Sequence, residues 1–113
     1  MGIRNRRFTY KGQIKISSSD MSLLKEGKKR CTVRIGMIDV SGTDLFMTDG
    51  NERVKIRVSE VDNRKVYREL SNQDAFDEGF ESLEELQKDL SKYYGKIDPE
   101  QPVTVIRFEM TRT

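Results

Sequence analysis

Three polar side chains follow a glycine at short, regular spacing: Lys29, Thr32 and Arg34 after Gly27. The glycine is predicted to end a short helix in the left-handed conformation, and the residues after it are predicted to form a strand. Because successive side chains of a strand alternate between its faces, Thr32 and Arg34 share one face. A hydroxyl beside fixed positive charge suits an anion or a polar nucleobase, although a solvated basic turn has the same composition.

The residue types that are rare or missing limit the kinds of catalytic and metal site that the chain can form. The 113 residues fit one domain and contain no histidine, which is the commonest general base and metal ligand. The single cysteine, Cys31, excludes an internal disulfide and a cysteine-based zinc site. It alternates onto the apolar face with Val33 and is interpreted as a buried apolar residue. We expect no metal and no cofactor, and the lack of a leader or membrane-spanning stretch predicts a cytoplasmic protein without a membrane partner.

Positive charge is concentrated at the start of the chain. Residues 1–36 hold ten lysines and arginines against two acids, whereas the other 77 residues hold eleven basic and seventeen acidic groups. Such asymmetry is typical of a surface that binds a polyanion, and also of a soluble amino terminus. Residues 1–7 are predicted to be a basic, flexible terminus and residues 8–113 a single domain. The candidate ligand-binding residues are Arg34, Lys28, Arg30, Tyr10, Lys11 and Lys15.

Hydrophobic periodicity and turn residues predict an α+β fold. Alternation over 8–16 indicates a strand with a bend at Gly12. Residues 17–20, three serines and Asp20, offer several possible caps for a short helix that Gly27 closes, and this helix leads into a second strand over 29–36. An apolar run to residue 40 ends in a predicted turn at 41–44, and a short strand at 45–47 precedes a hairpin turn at 49–51. The remaining predictions are a strand over 54–61, a turn at 62–65, helices over 72–77 and 82–94, and a strand over 103–110. Residues 66–70 stay unassigned between strand and helix. This order predicts a small, strongly curved β-barrel with two or three short helices.

The spacing of Gly27, Lys29, Thr32 and Arg34 resembles the signature of the ASCH family, a relative of the PUA RNA-binding domain. That signature is Gly-x-Lys-x-x-Glu-x-Arg, with threonine as an alternative at the acidic position. Further similarities are Gly-Thr-Asp at 42–44, Glu-Gly-Phe at 78–80 and the closing Val-Ile-x-Phe-Glu strand. The resemblance covers roughly residues 8–110 and implies a PUA-like β-barrel.

Within that family the chain is most similar to small amidohydrolases that deacetylate acetylcytidine. This similarity implies a catalytic set of Lys29, Thr32 and Glu78, the last aligned with one residue gapped near 81 and 82. Thr32 is then the nucleophile, and Lys29 serves as its base only if burial or a neighbouring cation eases its deprotonation. Glu78 orients the lysine or the cytosine amino group, or protonates the leaving amine.

Binding without catalysis accounts for the same residues. Arg34 and Lys29 then hold a phosphate or a base edge, Thr32 bonds a base, and Glu78 forms a structural ion pair. A third hypothesis is a structural or regulatory partner of an RNA-handling assembly. RNA or a modified nucleoside is the expected partner, and a monomer is the expected oligomeric state.

Overall fold

The structure, a computed structural model, describes residues 7–111. The predicted basic terminus, residues 1–7, therefore lies outside the described residues except for Arg7, which begins the first strand. In chain order the elements are β1 (Arg7–Lys15), α1 (Ser18–Lys25), β2 (Cys31–Ile35), β3 (Met37–Thr48), β4 (Arg53–Val66), a 3-10 turn (Tyr67–Glu69), α2 (Asn72–Glu78), α3 (Leu83–Tyr94) and β5 (Pro102–Met110).

The strands of residues 7–111 form one mixed sheet in the order β1-β3-β4-β5-β2. β1 runs parallel to β3, and the other neighbouring pairs are antiparallel. The sheet curls into a half-barrel, and α1, α2 and α3 complete an α+β domain. The predicted fold class is confirmed. β1 and β2 lie at the two ends of the strand order, and α1 joins one to the other.

Local signals fix the ends of α1 as predicted. The Ser17 hydroxyl accepts a hydrogen bond from the Asp20 N–H at 3.1 Å and so caps the helix. Gly27 follows the helix with φ +79°, a conformation that favours glycine. The predicted bend at Gly12 is a break of register in the pairing of β1 with β3. It is a β-bulge.

Two predicted turns are wrong, because both segments continue a strand. Residues 41–44 lie inside β3, where pairing with β1 jumps from Lys11–Ser41 to Gln13–Phe46. Residues 62–65 lie inside β4, and one extra residue is accommodated there against β5. Asn63 of this bulge donates a hydrogen bond to Asp39 on β3 at 3.1 Å. Polar bulges resemble turns in composition, but here they bend strands and help the sheet to curl.

The core consists of two clusters on either side of the curled sheet. One contains buried side chains of β1, α1, β3, β4 and β5, including Ile14, Leu24 and Ile106. The other lies between β2, β5, α2 and α3 and includes Cys31 and Val33, as the alternation of β2 predicts. Among residues 7–111, no helix combines the length and the apolar character that crossing a membrane requires.

Charged hydrogen bonds attach α2 to the sheet. Ser71 and Asp74 form a capping box at the first turn of the helix. The buried Asp74 carboxylate also accepts hydrogen bonds from Lys65 and Arg107, each at 2.8 Å. This anchor fixes the direction of the short helix, so its last residue, Glu78, is delivered to a defined place beside β2.

Candidate functional site

A cavity of about 490 Å³ opens beside β2. Its walls are the end of β1, the start of α1, one face of β2 and the last turns of α3. The lining residues are Lys15, Ile16, Ser17, Asp20, Thr32, Val33, Arg34, Glu78, Asp89, Leu90, Tyr93 and Tyr94. The cavity thus combines carboxylates, cations, hydroxyls and aromatic rings in a space of the size that small organic ligands occupy.

Glu78 connects α2 to the outer edge of β2. Its Oε2 accepts a hydrogen bond from the Val33 N–H at 2.7 Å, which satisfies a backbone donor that no strand pairs. Its Oε1 accepts a hydrogen bond from the Lys29 ammonium in an ion pair. Only 1% of the Lys29 side chain and 8% of the Glu78 side chain are exposed. Burial raises the pKa of Glu78, whereas Lys29 and the Val33 N–H act in the opposite direction.

Thr32 and Arg34 form a second polar contact in the cavity. The Arg34 Nε–H donates to the Thr32 Oγ1 at 3.0 Å, and Thr32 is 2% exposed. The Arg34 Nη2 donates to the Lys15 carbonyl oxygen at 2.9 Å, and the guanidinium lies 5.6 Å from the centre of the Tyr10 ring. Arg34 of β2 therefore contacts β1, the strand at the other edge of the sheet.

The structure brings the three residues of the implied catalytic set to one wall. Thr32 and Glu78 both line the cavity, and Lys29 is joined to Glu78. Glu78 accepts a hydrogen bond from the Lys29 ammonium, whereas a general base has to be neutral. Catalysis by this set therefore requires Lys29 to lose a proton before it accepts one from Thr32.

The predicted ligand-binding residues separate into two groups. Lys15 and Arg34 line the cavity, and Tyr10 lies under the Arg34 guanidinium with only 9% of its surface exposed. Lys28 is exposed beside Glu26, with 3.4 Å between its Nζ and the carboxylate. The others, Lys11 and Arg30, are exposed away from the cavity lining, and Arg30 pairs with Asp77 at 2.9 Å and stacks on Phe76.

Sequence reasoning missed two acidic residues of the cavity, although it predicted the third, Glu78. Asp20 was singled out only as a helix-capping residue, and Asp89 was not singled out at all. Burial, together with the nearby charge of Asp20, raises the pKa of Asp89. Tyr93, which is 66% exposed, stands at the rim. The helical stripe that contains Leu90 and Tyr93 was the available signal, but periodicity does not distinguish a core stripe from one that borders a cavity. The described residues contain no cluster of three or more metal-ligating side chains.

This half-barrel with three helices has the fold of the ASCH domain. An ASCH domain from Lactobacillus crispatus superposes with a TM-score of 0.69 at 14% identity, covering 95% of this chain and 81% of that one. The hypothetical protein PH0355 gives 0.65 at 17% identity, covering 90% of this chain and 100% of that one. The protein EF3133 from Enterococcus faecalis gives 0.61 at 17% identity, covering 90% and 81%. No protein-family model and no curated protein matches the sequence. The predicted resemblance to ASCH domains is thus confirmed for the fold.

Proposed function

We propose that the cavity beside β2 binds a nucleoside, either free or as a residue of RNA. The observation that carries this proposal is the mixed lining of the cavity. Thr32 and Glu78 offer hydrogen-bonding oxygens and Lys15 offers a charged N–H donor, while the ring of Tyr93 stands at the rim. A nucleoside presents donors, acceptors and a flat face, so each part of it has a complementary group here. The ASCH fold agrees with this assignment.

The edge of the sheet beside the cavity supports the RNA form of the proposal. β1 carries Arg7, Lys11 and Lys15 and no acidic residue. All three side chains are exposed. This positively charged edge strand can contact the phosphates of an RNA strand while one base of that RNA enters the cavity. The affinity for RNA is therefore expected to fall steeply as the salt concentration rises. An RNA or nucleoside partner also agrees with action in the cytoplasm. A monomeric state, with 8–113 as one domain, is part of the proposal.

A second candidate function is deacetylation of acetylcytidine. It is favoured by the Thr32 hydroxyl and the Lys29–Glu78 pair at one wall of the cavity. In this reaction the neutral amine of Lys29 takes the proton of Thr32 as the threonine oxygen attacks the acetyl carbonyl. The C–N bond then breaks as Lys29 passes that proton to the amine of cytidine, and water hydrolyses the acetyl-threonine ester to acetate and the free Thr32 hydroxyl.

One set of measurements tests both functions. Calorimetry with cytidine, acetylcytidine and single-stranded RNA measures binding, and acetate release measures turnover. Thr32→Val and Glu78→Gln are compared with Arg57→Gln, which changes an exposed residue paired with Asp44 on the opposite part of the sheet. Binding lost in the two cavity variants, each shown by circular dichroism to be folded at the assay temperature, and kept in the control, supports the site. Turnover that disappears in the same two variants assigns the enzyme, and binding of none of these ligands by the wild-type protein refutes the proposal.

A further inference from the structure

We infer that Arg34 is a positioning residue that acts through Thr32 and does not serve to hold a ligand phosphate. The sequence predicted Arg34 as a direct ligand-binding residue, and its contacts assign the guanidinium another role. The inference rests on the proposed function, since Thr32 lies in the cavity that would bind the nucleoside.

The guanidinium is held on several sides by the protein itself. Its Nε–H bonds the Thr32 hydroxyl at 3.0 Å, and its Nη2 bonds the Lys15 carbonyl at 2.9 Å. The Tyr10 ring lies 5.6 Å from its central carbon. Two donors and one face of the planar group are thereby engaged, and its orientation is set before any ligand arrives.

The bond from Arg34 fixes what the Thr32 hydroxyl can do. Thr32 is 2% exposed, and its oxygen accepts the Arg34 Nε–H. A hydroxyl that accepts from one side directs its own O–H elsewhere, so Thr32 is left as a donor toward the cavity. The adjacent positive charge also stabilises negative charge that develops on this oxygen. Arg34 therefore aligns and polarises the hydroxyl that contacts the ligand.

The bond from Arg34 to Lys15 sets the position of one wall of the cavity. β1 and β2 lie at opposite ends of the strand order, and Arg34 joins them across the mouth of the half-barrel. Lys15 at the end of β1 and Ile16 just after it belong to the cavity lining. Lysine at position 34 would keep the charge but lacks the planar fork that bonds Thr32 and Lys15 together.

A double-mutant cycle between Arg34→Lys and Thr32→Val tests the inference. Affinities for cytidine and for cytidine 5′-monophosphate are measured by calorimetry at constant salt. We expect each single substitution to weaken binding of both ligands by about tenfold, which is typical of a lost charged hydrogen bond. The double variant is expected to bind no more weakly than the weaker single variant, because both changes remove the same aligned hydroxyl.

The control is Arg53→Lys, which alters an arginine that lies 4.2 Å from the Phe46 ring on a part of the sheet outside the cavity lining. It is expected to leave both affinities unchanged. If Arg34→Lys does not fold, Tyr10→Leu takes its place in the cycle, since it removes the ring that lies beneath the guanidinium.

Losses that multiply in the double variant, or a loss confined to the monophosphate, would overturn the role of Arg34 and leave the proposed function standing. A wild-type protein that binds neither cytidine nor its monophosphate would instead refute the proposed function and this inference with it.

Discussion

Replacing Glu78 by glutamine is expected to lower the free energy of unfolding by about 3–5 kcal/mol, the usual cost of removing one partner of a buried ion pair. The glutamine oxygen can still accept the Val33 N–H, so the lost quantity is the charge that balances Lys29. The Lys29 side chain is 1% exposed, so little water can take the place of the lost carboxylate charge. Neutralising an ordinary lysine at pH 7 costs roughly 5 kcal/mol, which sets the upper limit of the effect.

Thermal unfolding followed by circular dichroism measures this loss. For a domain of this size, about 3–5 kcal/mol corresponds to a fall in Tm of roughly 12–20 °C. Adding Lys29→Met to Glu78→Gln is expected to restore most of the Tm, because the pair is then replaced without an unpaired charge.

The matched control is the exposed pair of Lys25 and Glu52, whose side chains are about half exposed and lie 2.7 Å apart. Glu52→Gln is expected to leave Tm nearly unchanged because solvent screens that pair. A Glu78→Gln protein that melts within about 4 °C of the wild type would show that no buried charge depends on this carboxylate, and the reasoning about the pair would be wrong.

Three further outcomes follow from the environments of Asp74, Cys31 and Gly79. Burial by itself would raise the pKa of Asp74, but hydrogen bonds from two basic side chains outweigh it and hold that pKa below its ordinary value. The stabilising effect of Asp74 is therefore present above about pH 4 and lost as pH falls. Asp74→Asn is expected to make the free energy of unfolding, measured in urea, fall less steeply at acidic pH. Burial raises the pKa of the Cys31 thiol, so a thiol reagent is expected to modify it in urea and not in the native protein at neutral pH; fast native labelling would contradict this. Gly79→Ala is expected to lower Tm more than Gly27→Ala, because a Cβ at position 79 meets Leu23 at 2.9 Å whereas Gly27 faces open space, and equal shifts would refute the clash.

Elements with strong local signals were predictable from the sequence, and the bent strands were not. The cap at Ser17 and the glycine after α1 are short-range features, and the structure confirms them. Residues 41–44 and 62–65 combine the small and polar residues of a turn, yet both lie within long strands. Only the partner strands decide whether such a segment reverses the chain or bulges, and partners distant in sequence leave no mark on local composition.

The candidate site could also be predicted only in part, because contacts between residues distant in sequence leave no local signal. Family resemblance placed Lys29 and Glu78 in one set, and the structure joins them by an ion pair across 49 positions, while their catalytic role stays a prediction. The bond between Arg34 and the Lys15 carbonyl involves a backbone atom, which side-chain type does not predict. The two acidic residues of the cavity that sequence reasoning missed, Asp20 and Asp89, come from two helices whose approach depends on packing, so their convergence with Glu78 was not visible in the sequence.

The strand order implies a late step in folding. Both edge strands come from residues 7–35, whereas β3, β4 and β5 between them come from later in the chain. β3 and β4 pair through a short hairpin, but β2 must wait for β5, since Ile35 pairs with Val103. Contacts of such long sequence separation form slowly, so during synthesis β2 stays unpaired until β5 has emerged. The cavity is consequently among the last features to form, so a chain whose cavity is complete is one that has finished folding.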